Sequence, residues 1–361
     1  SLARADEPDA GGTPEGQEAP AAEPNALDDA MLEEELELLD AQVYEGEAEA
    51  PPAEGEDDAP SEPKAKPEGA EPMPELREVT VRYTPEDIFR MGGSVQALDQ
   101  KQLETNQYDD PNAVLLQVPG VYVRQEDGFG LRPNIGLRGT NPNRSSKVTL
   151  MEDGVLFGPA PYSAPAAYYF PMMARITGVE VLKGPASLLY GPQTVAGAIN
   201  YESRPVPEAP RGQIDLSYGR FQTFRGHLHY GRKNDWGGFV VEGLHLGTQG
   251  FKELDGNYGR GNTGFQRSEL MFKGFVNNDL ASHAFNRLTI KFIGSREISN
   301  ETYLGLSDAD FSANPDRRYA SSLLDNMQWW RTAVDLTHNL AVGEHILLET
   351  TAYRHDFDRT W

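Results

Sequence analysis

Apolar and polar positions alternate along residues 208–361, with a period of two residues. Ile214, Leu216 and Tyr218 share one parity, which predicts a β-strand with one apolar face. Two later segments repeat this pattern. One has Leu288, Ile290 and Phe292 on one parity and Arg287, Thr289 and Lys291 on the other, and the second has Trp330, Val334, Leu336 and Leu340 on one parity. We therefore predict about seven strands after Arg211.

Turn residues divide these strands into hairpins of two kinds. Short turns are predicted at residues 233–235 and 277–279, and longer loops at 248–264 and 297–327. Short turns on one side and long loops on the other are typical of a transmembrane barrel with an apolar outer surface. A soluble β-sandwich also alternates, so this segment alone leaves both architectures open.

A different pattern occupies residues 94–204. Three short strands, at 147–152, 178–182 and 197–201, lie between Gly- and Pro-rich turns and predict a small sheet with prominent loops. Ahead of them, Asp99 begins a polar helical stretch. Asp110 followed by Pro111 has the form of a helix N-cap with proline at the first helical position. These elements predict an α+β domain.

The N-terminal region is acidic. Residues 1–75 hold 24 acidic and 3 basic residues of a chain whose net charge is −24, so the remainder is nearly neutral. Few aromatic residues occur there, and we predict a disordered acidic tail. Apolar residues at helical spacing within 27–43 predict either a transient helix or a helix that docks on a partner.

Composition excludes several classes of function. The chain has no cysteine, and no basic patch with interleaved aromatic residues indicates a nucleic-acid partner. The uncharged window 155–174 is long enough to span a membrane, but its four prolines exclude a helix. Residues 3–5 have the form of a signal-peptidase site, either the remnant of an export signal or a chance match.

The sequence offers little support for catalytic or metal-binding chemistry. No nucleophile elbow, phosphate loop or zinc spacing is present, so we predict neither an enzyme nor a cofactor. His227 and His229 share one face of a predicted strand, but the sequence positions no third ligand. A polar barrel interior explains both, and no metal site is predicted.

Several motifs in residues 134–204 occur in a characteristic order. They are Arg138-Gly139, the run Asn141–Ser145, Asp153-Gly154, Ala160-Pro161-Tyr162 and the run Tyr190–Asn200. Together they resemble the plug domain of TonB-dependent outer-membrane receptors, most similarly that of the ferric dicitrate receptor group. The resemblance implies an α+β plug domain followed by antiparallel transmembrane β-barrel strands.

The resemblance also suggests domain boundaries. We expect a disordered acidic tail at 1–75, a TonB-box-like segment at 76–84, a plug domain at 85–207 and the N-terminal part of a barrel at 208–361. Seven strands are too few for a closed receptor barrel, so we expect the chain to be a fragment of a longer one.

A short β-prone run precedes the plug: Glu78, Val79, Thr80 and Val81. By resemblance it is the TonB box, which adds as a strand to the periplasmic energy-coupling protein TonB. The alternative is an ordinary first strand of the domain.

Two cationic residues are expected between the plug and the barrel. In the family that the chain resembles, the Arg138 position faces the barrel wall, where a buried guanidinium needs a carboxylate partner. A second arginine usually follows in a later motif, where this chain has Lys183. A lysine offers a point charge instead of a planar fork, which weakens the expectation there.

Two loops are candidates for ligand contact, 140–146 and 158–167. By resemblance they face the extracellular side, and their side chains can donate hydrogen bonds to the carboxylate oxygens of a ferric citrate complex. The residues are Asn141, Asn143, Arg144, Tyr162 and Ser163. Alternatively, the prolines and asparagines only shape the turns and Arg144 forms a salt bridge between plug and barrel.

These expectations combine into a receptor in the outer membrane of a Gram-negative cell, in contact with its lipid. Its expected function is TonB-dependent uptake of a ferric chelate, either ferric citrate or a siderophore complex. The alternative is a surface module for binding or sensing without transport, or a truncated remnant of such a receptor.

Overall fold

The computed structural model describes residues 94–157, 169–191, 194–256, 262–279, 282–343 and 345–361. The predicted acidic tail and TonB-box-like segment lie outside these ranges. Among the described helices, none combines the length and the apolar character needed to cross a membrane.

The first part of the described chain forms seven strands. They are β1 (Ser94–Leu98), β2 (Val121–Arg124), β3 (Asn134–Leu137), β4 (Val148–Glu152), β5 (Val155–Leu156), β6 (Ile176–Lys183) and β7 (Gly197–Ser203). Five of them form a mixed sheet in the order β1-β6-β7-β4-β5, in which β4 and β7 are parallel and the other pairs antiparallel. The hairpin β2–β3 stands apart. The three predicted strands are confirmed as β4, β6 and β7.

Two short helices precede the hairpin, and their caps follow from the sequence. Helix α1 (Gln100–Asn106) begins after Asp99, whose carboxylate accepts from the Gln102 backbone in a capping box. Helix α2 (Pro111–Leu115) begins after Asp110, with proline at the first helical position, as predicted.

The central strands of the small sheet bury both faces. On one face Val181 and Ile199 pack with Tyr201 and Phe170, whereas Leu182 and Ala198 on the other pack with Met151 and Val95 in a smaller cluster. Alternate residues of a strand point to opposite faces, so β6 and β7 each supply both clusters. The sheet is thus a central layer of this domain.

Gly197 begins β7 with φ at 153°. A Cβ added there would lie 2.3 Å from the Leu182 carbonyl oxygen. No side chain fits between β7 and β6 at this point, which accounts for glycine in the run Tyr190–Asn200.

The second part forms a larger sheet and two short loop strands. They are β8 (Arg211–Gly219), β9 (Thr223–Asn234), β10 (Gly237–Thr248), β11 (Glu253–Leu254), β12 (Phe265–Asn277), β13 (Ala284–Ser299), β14 (Arg317–Arg318), β15 (Met327–Val342) and β16 (Ile346–Thr360). Seven of these form one antiparallel sheet in the order β16-β15-β13-β12-β10-β9-β8, as the alternation predicts. The sheet is not closed by pairing between β16 and β8.

The two faces of this sheet differ in polarity. One face carries exposed apolar side chains, such as Leu216 (71%), Leu270 (51%) and Ile290 (42%). The opposite face carries buried charged side chains and packs against the small sheet; they include Glu269, Lys273, Lys291, Glu297 and Arg331. A membrane barrel wall requires an apolar face outward and a polar face inward, and the charged face excludes a sandwich core here.

The loops segregate to opposite ends of the sheet. The ends of the strands joined as β9–β10, β12–β13 and β15–β16 lie at one end, and those joined as β10–β12 and β13–β15 lie at the other, with the connection 300–326 described throughout. Strands β11 and β14 pair with each other and so join the two long connections, the second of which contains helix α3 (Asp308–Ala313). We call this the long-loop end.

Candidate functional site: the plug–sheet interface and the long-loop face

Arg175 joins the small domain to the larger sheet through a buried ion network. Its side chain is fully buried, and its Nη1 and Nη2 donate to the two oxygens of Glu152 at 2.8 and 2.7 Å. Its Nε donates to Glu269 of β12, whose other oxygen accepts from Tyr169 Oη at 3.1 Å. Burial opposes the charge, but the two carboxylates raise the pKa of Arg175 above its ordinary value. The guanidinium therefore stays ionised and paired.

A second network is centred on Asp153, in the turn between β4 and β5. The ammonium groups of Lys273 and Lys291, from β12 and β13, lie 3.1 and 2.9 Å from its carboxylate. The backbone N–H of Ser203 also donates to it, at 2.9 Å. Burial would raise the pKa of Asp153, but the two lysines and the Ser203 hydroxyl hold it well below its ordinary range.

A third network surrounds Arg132, near the long-loop end. Arg132 is buried, donates to Glu297 of β13 and lies 3.5 Å from Glu301. Burial raises the pKa of Glu301 to about 7. Arg132 opposes this shift, whereas the carboxylates of Glu297 and Asp127 add to it. Glu301 is thus a carboxyl group that titrates near neutral pH beside a plug–sheet ion pair.

Arg144 and its neighbours form an exposed surface at the long-loop end. Arg144 is partly exposed, has φ at 56°, and its guanidinium lies 5.6 Å from the ring centroid of Tyr303 in the loop 300–326. Its one ion pair among the described residues is a long contact with Glu126, at 3.9 Å. The Arg144 guanidinium is therefore accessible, in contrast to Arg132 and Arg175.

The two predicted asparagines lie in the same turn, and both are exposed. Asn141 Oδ1 accepts from the Asn143 backbone at 2.9 Å, which shapes the turn. Asn143 Oδ1 accepts from Arg124 Nη2 at 3.1 Å, and this brings a second guanidinium to the surface. We call residues 141–144 together with Arg124 the loop face.

The other predicted contact residues, Tyr162 and Ser163, lie outside the described residues. The same holds for the TonB-box-like segment, Glu78, Val79, Thr80 and Val81.

The buried ion pair with the sheet predicted for Arg138 is made by other residues. Arg138 is exposed, at the end of β3, and no salt bridge joins it to a described carboxylate. Lys183 is buried, but its Nζ donates within the small domain, to Gln96 and to the Pro119 carbonyl oxygen at 2.7 Å. Burial lowers the pKa of Lys183, and the charge of Arg138 adds to this effect.

The direction of the strands explains which residues of the small domain meet the described sheet. Glu152 ends β4, Arg175 immediately precedes β6 and Ser203 ends β7, and at this end of the small sheet their side chains or backbone bond to residues of the ion networks. Lys183 lies at the opposite end of β6, and its described hydrogen bonds stay within the small domain. Among the described residues, the buried ion pairs between plug and sheet include those of Arg132, Arg175, Asp153 and Arg204.

The sequence contained a signal for some of these missed residues. Arg175 is the only charged residue between Tyr169 and Gly178, an apolar context in which a lone arginine needs a buried partner. In β12, the charges of Arg267, Glu269 and Lys273 share one parity, which marks the polar face. Arg132 follows an irregular loop and offers no comparable pattern.

The small domain matches a known family. Residues 87–198 match the family described as "TonB-dependent Receptor Plug Domain". This match lies within the predicted plug segment and includes the strands β1 to β6. The chain therefore contains a TonB-dependent receptor plug domain followed by a partial barrel of seven antiparallel strands.

Known proteins resemble the chain over both parts. It is 25% identical over 264 residues to the Vitamin B12 transporter BtuB of Vibrio vulnificus (strain CMCP6), covering 69% of this chain and 41% of that protein. Its fold is similar to the unliganded ferric citrate transporter FecA, with a TM-score of 0.60, 20% identity and coverage of 76% and 41%. It is also similar to the ferric yersiniabactin uptake receptor FyuA from Yersinia pestis, with a TM-score of 0.57, 18% identity and coverage of 74% and 42%.

These comparisons identify the small domain and the overall fold. The chain spans about two fifths of the length of these relatives. The matched domain is that of TonB-dependent receptors, and the relatives are described as transporters and as an uptake receptor. The names of these relatives give different ligands, so they do not identify the ligand of this chain.

Proposed function

With a TonB-dependent receptor plug domain against the inner face of a partial barrel as the premise, we propose that this protein is the receptor for uptake of a ferric chelate. The ligand binds on the long-loop side of the plug, and TonB engages the segment 78–81. The observation that carries this proposal is the accessible Arg144 guanidinium, beside Tyr303 in the longest connection. Arg132 and Arg175, by contrast, are held in buried ion pairs with carboxylates.

The chemistry of the loop face favours an anionic chelate rich in oxygen atoms. Arg124 and Arg144 offer planar guanidinium forks, which match carboxylates in two-point contacts. Asn141 and Asn143 add amide donors for ligand oxygens. Ferric citrate, which presents carboxylates on its surface, fits this donor set, and a siderophore complex with peripheral oxygens is the other member of the class.

Tyr162 and Ser163 belong to the same proposal. Both carry hydroxyl groups that can donate to carboxylate oxygens, and by resemblance their loop faces the same side as Arg144. We propose that they complete the ligand contacts of the loop face.

Energy coupling is proposed to act through the N-terminal segment. Glu78, Val79, Thr80 and Val81 form a β-prone run of the kind that adds to a partner sheet by main-chain hydrogen bonds. Deletion of residues 78–81 should abolish uptake of the ferric chelate by cells and leave its binding to the purified protein unchanged. Uptake that persists after the deletion would refute the assignment.

Binding calorimetry against a panel of chelates tests the ligand class. The panel contains ferric citrate, a hydroxamate and a catecholate ferric siderophore, and cobalamin, which is included because of the similarity to a vitamin B12 transporter. We expect a ferric chelate to bind and cobalamin to show no heat of binding. Saturable binding of cobalamin alone would replace the iron proposal by a cobalamin receptor.

Two arginine variants locate the site. Arg144→Gln removes an accessible guanidinium at the long-loop end and should weaken binding of the ferric chelate about tenfold, or 1.4 kcal/mol. Arg138→Gln, the matched control, removes an exposed guanidinium at the end of β3, outside the loop face, and should leave the affinity within about twofold. Equal losses in both variants would contradict a binding site at the loop face.

A further inference from the structure

Three side chains with metal-binding atoms meet on the inner face of the sheet, apart from the networks described above. His227 and His229 point to the same side of β9, and Glu242 of β10 lies directly opposite His229 in the strand register. One ligand atom from each residue can be chosen so that all three lie within 4.8 Å of one another. The sequence showed only the two histidines, because β-pairing is needed to supply the third ligand.

All three side chains are buried, and two ligand atoms lack partners. Their exposed fractions are 7%, 6% and 0% for His227, His229 and Glu242. Within the described residues, His229 Nδ1 and Glu242 Oε2 are buried without a hydrogen-bond partner. A buried acceptor without a partner lowers the stability of the folded state by about 1–3 kcal/mol, and a bound ion would satisfy both of these atoms.

The second carboxylate oxygen of Glu242, Oε1, already has two partners. Glu242 Oε1 accepts from Arg204 Nε at 2.8 Å and lies 2.7 Å from His227 Nε2. Arg204 thus holds the carboxylate in place and leaves Oε2 free beside the two imidazoles. A ligating carboxylate held by an outer hydrogen bond is the usual arrangement in metal sites.

Two imidazole nitrogens and one carboxylate oxygen form a donor set for a divalent transition metal. Zn²⁺ binds such three-ligand sets with a fourth position open to water, whereas Mg²⁺ and Ca²⁺ prefer oxygen ligands alone. His227 lines a cavity of about 70 Å³, together with Asp215 and Arg204. This volume admits water, and Asp215 lies 4.0 Å from His227 Nδ1.

We propose that His227, His229 and Glu242 form a binding site for a divalent transition-metal ion such as Zn²⁺, with water in the fourth position. The site lies on the wall of the barrel, where Arg204 of the plug contacts it. It is independent of the ferric chelate at the loop face.

Titration of the full chain in detergent with Zn²⁺ alone tests this site. Wild type should bind one Zn²⁺ at this site, and His229→Ala and Glu242→Gln should each weaken that binding at least tenfold. His245→Ala is the matched control, because His245 lies on the same strand as Glu242 but bonds Ser268 at 2.9 Å and faces the other side. Its affinity should equal that of wild type. Absence of stoichiometric Zn²⁺ binding, or an equal loss in His245→Ala, would overturn the proposal.

X-ray absorption of the Zn²⁺ complex of the wild-type protein identifies the metal ligands without using a variant, so its result does not depend on whether the variants fold. Two imidazole nitrogens at about 2.0–2.1 Å and oxygen ligands at about 2.0–2.2 Å are expected. A shell of oxygen atoms alone would instead assign the bound Zn²⁺ to acidic residues elsewhere and overturn the site.

Discussion

Arg175 and Arg144 lie in the same plug domain but in opposite environments. Arg175 is fully buried and bonded to two carboxylates, one of them on the barrel wall, whereas Arg144 is partly exposed with one long ionic contact. Removing one partner of a buried pair leaves an uncompensated charge, whereas an exposed pair contributes little to stability. The difference separates a cation that holds the plug in place from one that remains available to a ligand.

The strongest test of this contrast is Glu269→Ala. Loss of this carboxylate leaves the buried Arg175 with only Glu152 and should lower the free energy of unfolding by about 3–5 kcal/mol. Chemical unfolding of the protein in detergent measures it. The matched control is Glu126→Gln, which removes the exposed partner of Arg144 and should cost less than about 1 kcal/mol. Similar losses of unfolding free energy in both variants would contradict the proposed difference between Arg175 and Arg144.

A somewhat smaller effect is expected for Asp153→Asn. Lys273 and Lys291 lose their shared carboxylate, and the free energy of unfolding at pH 7 should fall by about 2–4 kcal/mol. The pKa of Asp153 is depressed in the folded state, so its contribution is present above the unfolded pKa of about 4 and is lost as pH falls. The difference in the free energy of unfolding between wild type and variant should therefore stay constant from pH 7 to pH 5 and begin to shrink only below about pH 4. A difference that already disappears above pH 5 would show that the pKa of Asp153 is not depressed in the folded state.

Glu301 should give a pH dependence of the opposite sign. Its pKa is raised to about 7, so the folded state favours the protonated acid, and stability is greatest below the unfolded pKa of about 4.3. As pH rises through 7, we expect a loss of about 1–3 kcal/mol. Glu301→Gln, which stays neutral, should remove this loss between pH 5 and pH 8. An unchanged pH profile in the variant would assign the titration to another group.

The smallest effect on stability is expected for Arg144→Gln. Its contact with Glu126 is long and partly exposed, so the free energy of unfolding should change by less than about 1 kcal/mol. Thermal unfolding without ligand measures this change. A loss of several kcal/mol would show that Arg144 forms a salt bridge between plug and barrel, the alternative that the sequence left open.

Local patterns in the sequence predicted most of the fold. The two-residue alternation predicted the seven strands of the large sheet, and Asp110 followed by Pro111 predicted the start of α2. Both signals depend on neighbouring residues, so they can be read without knowledge of the tertiary structure.

The partners of the charged residues depend on long-range packing and could not be predicted in the same way. Arg175 and Glu269 are 94 residues apart in the chain. His229 and Glu242 are close in sequence, but only the register of the β9–β10 hairpin places them opposite each other. The motif containing Arg138 identified the type of domain, but only the direction of the strands decides which arginine meets the described wall.

Hydrogen exchange of the loop 140–146, measured with and without a saturating ferric chelate, tests the central claim most directly. We expect slower exchange in this loop when the chelate is bound. We expect unchanged exchange in β4 and β6, because the buried ion networks already fix these strands against the sheet. Unchanged exchange in the loop under saturating ligand would contradict the claim that the chelate binds at Arg144 and its neighbours.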